Sequence, residues 1–462
     1  MLEPNVPNKD NYILPQIPGD LLQFIRRETY SLLIKGFAGT GKTTLALTIL
    51  NVLGIKNNFF YISTRLSPKQ LFQYYPWLED FLQQSTTASG TNMARDREMV
   101  SMFEDARLDE PESLFERITN QLMDIKSPII IIDSWDAIAS FMDREARLNN
   151  ERVLQTWRER AGAKLIFISE QPADTTLDFL VDGIVELRQS HYYNNVKMRQ
   201  IFLQKLRGAR INRSSYLFTL ENSIFHSFTP YHTIKFEPPK RKAADLLKLS
   251  TSDTIQTGYP VLDALLGSGF PRKGMVLLEL ESHVNITIAL MFLQRIVSNL
   301  VSCGNPVVLQ PVSWVDPSSI LHFFETCLPP MKKNLFKMLS TGKNPSAYQL
   351  LGALVKMKQK HRNKVLLNIM STESLQNLHG SKNVRGTLTS MLSRILTHAD
   401  LSIALLSRSQ ADILEFVSEI SNIHIRIMMI NDTLFLQSLV PPSNLYSIIF
   451  DRHSRIILKP VV

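Results

Sequence analysis

Leu32-Leu-Ile-Lys-Gly36-Phe-Ala-Gly-Thr-Gly-Lys42-Thr43-Thr-Leu-Ala-Leu-Thr-Ile-Leu50 decides the fold class of this 462-residue chain. An apolar strand-like run enters a glycine-rich turn, and an apolar helical pattern leaves it at once. The order strand, Gly-x-x-x-x-Gly-Lys-Thr, helix has a physical task for each part. Glycines let the backbone curl so that its N–H groups and the N-terminus of the following helix face phosphate oxygens. Lys42 sets a cation on them, and the Thr43 hydroxyl ligates magnesium. Side chains at Gly36 or Gly41 would fill the space of the anion. The expected nucleotide contacts are therefore Gly36, Phe37, Ala38, Gly39, Thr40, Gly41, Lys42, Thr43 and Thr44, and the expected ligand is ATP with Mg2+. No base-specific motif is legible that separates ATP from GTP. A glycine-rich turn that matches by chance is the alternative; the correct flanking strand and helix weigh against it.

Working outward, Ser31–Lys35, Asn58–Ser63, Ile129–Ile132, Lys164–Ser169 and Gly183–Leu187 are short apolar runs separated by helical patterns. Continuous apolar strands alternating with helices indicate a mainly parallel sheet covered on both faces, an α/β fold. A site of this kind also needs a carboxylate on a neighbouring strand to hold magnesium or its water. Ile129-Ile-Ile-Ile-Asp133 offers one, so Thr43 and Asp133 form the expected metal pair. A buried strand that ends in Asp also reads as turn chemistry, and the loop upstream tips the balance to function.

The chain is too long for one ordinary core, which predicts more than one domain. Apolar residues at 44% and charged residues at 20% are the balance of a globular protein. No run approaches the ~18 consecutive apolar residues of a membrane helix, and the first ten residues lack the apolar core of a signal peptide. The expected location is the cytoplasm, with no membrane contact. Cys303 and Cys327 alone offer no disulfide framework and no metal cluster.

The formal charge of +9 is uneven: residues 1–242 hold 30 bases and 28 acids, residues 243–462 hold 21 and 14. Between Glu325 and Glu373 there is no acid, yet Lys332, Lys333, Lys337, Lys343, Lys356, Lys358, Lys360, Arg362 and Lys364 fall there. Such a field attracts an anionic partner; a solvated lysine-rich helix pair is the plain alternative. Paired prolines beside three consecutive bases at 236–245 read as an exposed linker, and the small polar run Gln83–Asn92 reads as a loop. The expected division is a first domain over 1–236, a linker over 237–250 and a second domain over 251–462.

The phosphate loop, Ile131-Ile-Asp-Ser134, Ile168-Ser-Glu170, Phe179-Leu-Val-Asp-Gly-Ile-Val185 and Lys205-Leu-Arg-Gly208, in that order, resemble the RecA-like ATPases of the KaiC group. The resemblance extends to archaeal proteins of the GvpD type, associated with gas-vesicle regulation. It implies two tandem RecA-like domains and a homo-oligomer, a hexamer in KaiC-type proteins. It also implies that Lys205 and Arg207 lie on a hairpin reaching the nucleotide of a neighbouring subunit. A solvated basic hairpin, or a weak nucleic-acid surface, made by Lys197, Arg199, Lys205, Arg207, Arg210 and Arg213 remains the other reading. In one place the chain departs from that family. KaiC-like proteins carry a pair of glutamates after the second strand, where this chain reads Ile62-Ser-Thr-Arg65-Leu66-Ser-Pro68. General-base help is commonly worth about 10² to 10⁴ in rate, so its loss leaves binding intact and hydrolysis slow. Glu170 is the candidate substitute, so the expected catalytic set is Lys42, Asp133 and Glu170; a phosphate-sensing or structural role for Glu170 stands beside that.

Gln256-Thr-Gly-Tyr through Lys273-Gly274 resembles the opening of a second domain of the same type. Leu280-Glu-Ser-His-Val-Asn-Ile-Thr287 then stands where the phosphate loop belongs. Asn285 and Ile286 replace Gly-Lys, Glu281 would repel phosphate, and Lys364-Val-Leu-Leu-Asn-Ile-Met-Ser-Thr372 ends in no carboxylate. The second domain is expected to be degenerate. One working site beside one ruined site predicts a regulatory or signalling protein in which ATP-Mg binding gates contact with a regulatory protein or nucleic acid through Lys332–Lys364. The alternative is an active RecA-like ATPase acting on DNA; a phosphotransferase is a third reading that no residue favours.

Overall fold

The computed structural model describes residues 16–83, 102–107, 111–122, 126–143, 145, 153–154, 156–159, 162–171, 176–192, 196–231, 253–310, 316–339, 347–371, 384–407, 411–450 and 456–462. The expected linker at 237–250, Lys343 and most of the polar run 83–92 lie outside the described residues. The chain divides into two compact units, Met1–Thr229 with Val461–Val462, and Pro230–Pro460.

In the first unit the strands are β1 (Tyr30–Lys35), β2 (Phe59–Ser63), β3 (Phe103–Asp105), β4 (Ile129–Asp133), β5 (Lys164–Ser169), β6 (Gly183–Tyr192), β7 (Val196–Leu206), β8 (Ser215–Thr219) and β9 (His226–Ser227). Among the described residues they form one sheet in the order β3-β2-β4-β5-β1-β6-β7-β8-β9. Pairing is parallel from β3 to β6 and antiparallel from β6 to β9. Every residue of β1, β2 and β4 is buried, as unbroken apolar runs require when both faces are covered. The strand period of two divides them. Leu32, Ile34, Phe59, Tyr61, Ile129 and Ile131 join the core on one face, with Leu45, Ile49 and Leu50 of the helix Lys42–Leu53. Leu33, Phe60, Ile62, Ile130 and Ile132 join the core on the other, with Trp135 and Trp157.

The second unit repeats the plan. A short ladder of β10 (Thr254–Ile255) and β11 (Phe270–Pro271) precedes β12 (Gly274–Leu280), β13 (Val307–Leu309), β14 (Phe336–Met338), β15 (Leu367–Ser371), β16 (Leu401–Ser407), β17 (Ile423–Ile430), β18 (Thr433–Val440), β19 (Leu445–Phe450) and β20 (Ile456–Pro460). The second sheet runs β14-β13-β15-β16-β12-β17-β18-β19-β20. Replacing each strand by its rank in its own nine-stranded sheet gives the same order as the first sheet, so β12 stands where β1 does and the helix Ile286–Ser302 where Lys42–Leu53 does. Both units are mixed α/β layers built on a mostly parallel sheet. Each sheet face is again packed, with Val276, Leu278 and Leu280 on one side and Met275 and Leu277 on the other.

Candidate nucleotide-binding site

The parallel strands β1, β2, β4 and β5 end at Lys35, Ser63, Asp133 and Ser169 along one edge of the first sheet, and in open α/β sheets ligands sit outside such carboxyl ends. The loop Gly36–Gly41 lies there. Its crest, Phe37, Ala38 and Gly39, is exposed, while Thr40, Lys42 and Thr44 are buried. Two glycines are forced by geometry. Gly36 has φ +150°, and a Cβ on it would lie 2.4 Å from the Leu187 carbonyl oxygen and 2.8 Å from Thr40 Oγ1. Gly41 has φ +99°, and a Cβ there would meet Leu220 Cδ1 at 2.8 Å.

Lys42 opens the helix that Gly41 caps without a side chain. Its Nζ donates to the carbonyl oxygens of Gly36 at 2.7 Å and Phe37 at 2.9 Å, curling back over the loop. Burial lowers the Lys42 ammonium below its ordinary range, opposed by the charges of Glu170 and Asp133. A buried cation held only by carbonyls is short of counter-charge. Thr43 Oγ1 donates to Asp133 Oδ2 at 2.6 Å, and the Tyr61 hydroxyl donates to the same oxygen at 2.6 Å. Burial, and then Asp133, push the Tyr61 phenol well up, which keeps it a donor. Thr44 turns inward, its hydroxyl 3.3 Å from Tyr75 Oη. Thr64 N donates to the Asp133 carbonyl at 2.8 Å, and Ser134 N to Thr64 Oγ1 at 3.0 Å, so the ends of β2 and β4 are stitched together.

Arg65 and Glu170 meet. The Arg65 guanidinium donates to both Glu170 oxygens, with Nη2 to Oε2 at 2.5 Å. Glu170 N donates to Asp136 Oδ2 at 2.6 Å, and Ser169 Oγ to Asp136 Oδ1 at 3.1 Å. On the other side Leu66 N donates to Ser63 Oγ at 2.9 Å, and a capping box of Ser67 with Gln70 starts the next helix, Pro68–Tyr74. Lys205 Nζ donates to the Asp178 carbonyl at 2.8 Å, whereas the Arg207 side chain is 58% exposed and 3.7 Å from Asp182 Oδ1. Lys205 and Arg207 thus sit on β7 and just beyond it, away from Lys42, Thr43 and Asp133.

Four residues near the loop carried no individual reading in the sequence. Tyr61 and Asp136 brace the carboxylate and β5. Arg199 and Gln189, a cross-strand pair on β7 and β6, both donate to the Gly39 carbonyl, at 2.9 and 3.1 Å. In the sequence Arg199 is one base of a hairpin among six, and in the structure burial lowers its guanidinium below the ordinary range. A strand-alternation argument marks which side of β7 it occupies; nothing in the sequence says that this side covers the phosphate loop.

The family described as GvpD gas vesicle protein, P-loop domain, matches residues 21–204, a span that holds the loop, Asp133, Arg65 and Glu170 and stops before Lys205. The first unit carries a GvpD-like P-loop domain. Protein GvpD2 of Halobacterium salinarum is 26% identical over 282 residues, covering 59% of this chain and 56% of that protein. Protein GvpD1 of the same organism is 27% identical over 302 residues, covering 61% and 54%. The matched segment thus spans little more than half the length of either relative.

A P-loop domain implies nucleotide binding, typically with magnesium, and the residues present fit both. The positive φ of Gly36 and Gly41 lets the loop curl where another residue would strain or press on Leu187 and Leu220, and the Thr43 hydroxyl with the Asp133 carboxylate supplies the hard oxygen donors that magnesium takes. The equivalent turn of the second unit is built otherwise. Asn285 caps the helix Ile286–Ser302 and its Oδ1 accepts from Thr287 N at 2.9 Å, while Val284 N closes onto the Glu281 carbonyl at 2.9 Å. At the end of β12, Glu279 is fully buried and accepts from His424 Nε2 at 2.8 Å and Arg426 Nε at 2.9 Å. Among the described residues no helix is long and apolar enough to cross a membrane, and no cluster of His, Cys, Asp and Glu forms a metal site.

Proposed function

We propose that the first unit binds ATP with Mg2+ in the loop Gly36–Thr43 and turns it over slowly, and that nucleotide state gates how the second unit meets an anionic partner. One observation carries the binding step: a buried Lys42 and the Thr43–Asp133 pair converge behind glycines whose positive φ would strain any other residue. Backbone N–H groups and the helix N-terminus hold the phosphates, Lys42 neutralises them, and Thr43 and Asp133 hold the metal directly or through its water. Magnesium, when bound, would neutralise phosphate charge. Slow turnover follows from Arg65 and Leu66, which stand after β2 where the family resemblance expects a pair of glutamates. We read the second unit as a degenerate copy that has lost the cradle and kept the sheet. A regulatory device of this kind belongs where ATP is abundant, in the cytoplasm.

The family resemblance adds a homo-oligomer, a hexamer in the KaiC group, in which Arg207 and Lys205 reach across to the nucleotide of the next subunit. Lys333, Lys337, Lys356, Lys360, Arg362 and Lys364 are exposed on the second unit, whereas Lys358 pairs with Asp400 and Lys332 with the Ser302 carbonyl. Those exposed bases favour a second reading, a RecA-like ATPase acting on DNA. Isothermal titration of the whole chain with ATP, with and without Mg2+, beside light scattering and a turnover assay, tests both. The regulatory reading expects one nucleotide per chain, a mass that changes with ATP and turnover indifferent to DNA. Fast hydrolysis that DNA accelerates supports the second reading instead.

A further inference from the structure

The strand order β2-β4-β5 sets β4 between the segment that carries Arg65 and the strand end that carries Glu170. Their ion pair therefore arches over the end of β4, where Asp133 sits beside Thr43. Lys42 feels Glu170, Asp133 and Arg65 together, so the arch stands at the mouth of the phosphate site. We infer that Arg65 is the residue that distinguishes a nucleoside triphosphate from a diphosphate, exchanging its Glu170 carboxylate for the third phosphate. This rests on the nucleotide reading above and assigns a specificity to the same site.

Three features support the exchange. The guanidinium fork now on a carboxylate matches the geometry of a phosphate equally well. The bridge is cheap to open: the side chains are 52% and 28% exposed, and pairs so solvated contribute little to stability. Charge acts on both sides. Magnesium leaves a triphosphate with one more negative charge than a diphosphate, so the third phosphate draws Arg65 more strongly, and the Glu170 carboxylate left without its partner opposes the exchange. Both partners are braced by groups that stay in place, Arg65 through the Ser63 hydroxyl bonded to the Leu66 amide and Glu170 through Asp136. The exchange is therefore drawn as a movement of the two side chains with these backbone contacts kept.

The test uses the full chain with Mg2+ and either a non-hydrolysable ATP analogue or ADP, titrated calorimetrically into the wild type, Arg65→Ala, Arg65→Lys and Glu170→Gln. Arg65→Ala is expected to weaken the triphosphate roughly tenfold or more, the scale of a lost charged hydrogen bond, while ADP shifts by less than about twofold. Arg65→Lys recovers part of the difference. Glu170→Gln, which removes the competing carboxylate charge, tightens the triphosphate and leaves ADP where it was; this arm reads out even if Arg65→Ala folds poorly. Equal loss of both nucleotides in Arg65→Ala, or no loss, overturns the assignment while leaving the nucleotide site standing. A wild-type chain that binds neither nucleotide removes the nucleotide reading itself and this inference with it.

Discussion

The helix after β1 and the helix after β12 occupy the same place in the same strand order, yet their first turns treat the unpaired N–H groups in opposite ways. Every α-helix begins with N–H groups that lack an intrahelical acceptor. In the second unit Asn285 supplies an acceptor from its own side chain, so the turn is satisfied from within. In the first unit the cap is Gly41, with φ +99° and no side chain. That end is left to an acceptor from outside the chain, with Lys42 buried behind it. A phosphate site needs its first turn left uncapped for the ligand, whereas a turn that caps itself has an acceptor already in place.

The most severe way to break the comparison is Lys42→Ala. If the first unit holds the only working cradle, wild type takes up one nucleotide per chain by calorimetry and Lys42→Ala takes up none, a loss of at least about a hundredfold. A stoichiometry of two, or one that survives the substitution, would mean that the self-capped turn binds nucleotide after all. Asp133→Asn comes next. It keeps the shape that receives Thr43 and Tyr61 and removes the charge. ATP affinity measured with and without Mg2+ should differ strongly in the wild type and little in the variant.

These outcomes depend on parts that differ in how legible they were. The loop was readable because its residues are contiguous and each position has one task. The central strands were readable because Ile129–Ile132 or Leu32–Ile34 cannot be anything but doubly buried. Asp133 was readable as the end of such a run. Contacts that join distant segments were not: Arg65 reaches Glu170 across 105 positions and Arg199 reaches Gly39 across 160. Neither pair leaves a periodic trace. The same limit hid the buried partners of Glu279, because β17 becomes the neighbour of β12 only through the sheet order.

That Glu279 cluster sharpens the comparison through pH. Burial pushes the Glu279 carboxyl up, but hydrogen bonds from His424 and Arg426, with their charge, outweigh it and hold the group below the usual carboxylate range. A folded-state value below the unfolded one contributes stability at neutral pH that is lost as pH falls through the lowered value. Glu279→Gln should therefore cost roughly 2 kcal/mol at neutral pH and flatten the acid limb of urea denaturation curves, while nucleotide binding by the first unit stays as it was.

Asn285→Ala has the smallest expected effect and tests the idea most directly. Removing an Asn cap typically costs about 1 kcal/mol, so a modest fall in the urea midpoint is expected, with the slope unchanged. The N–H of Thr287 then has no side-chain acceptor, and the second helix start becomes open as the first one is. Nucleotide stoichiometry should nevertheless stay at one. Ile286 stands at the position of Lys42 and brings no cation, the chain at 281–284 lacks the glycines that let a loop wrap an anion, and Glu281 opposes one. If the variant gained measurable affinity for inorganic phosphate or ATP, the cap would be the main barrier. No gain would assign the absence of binding there to the missing lysine and glycines rather than to the Asn285 cap.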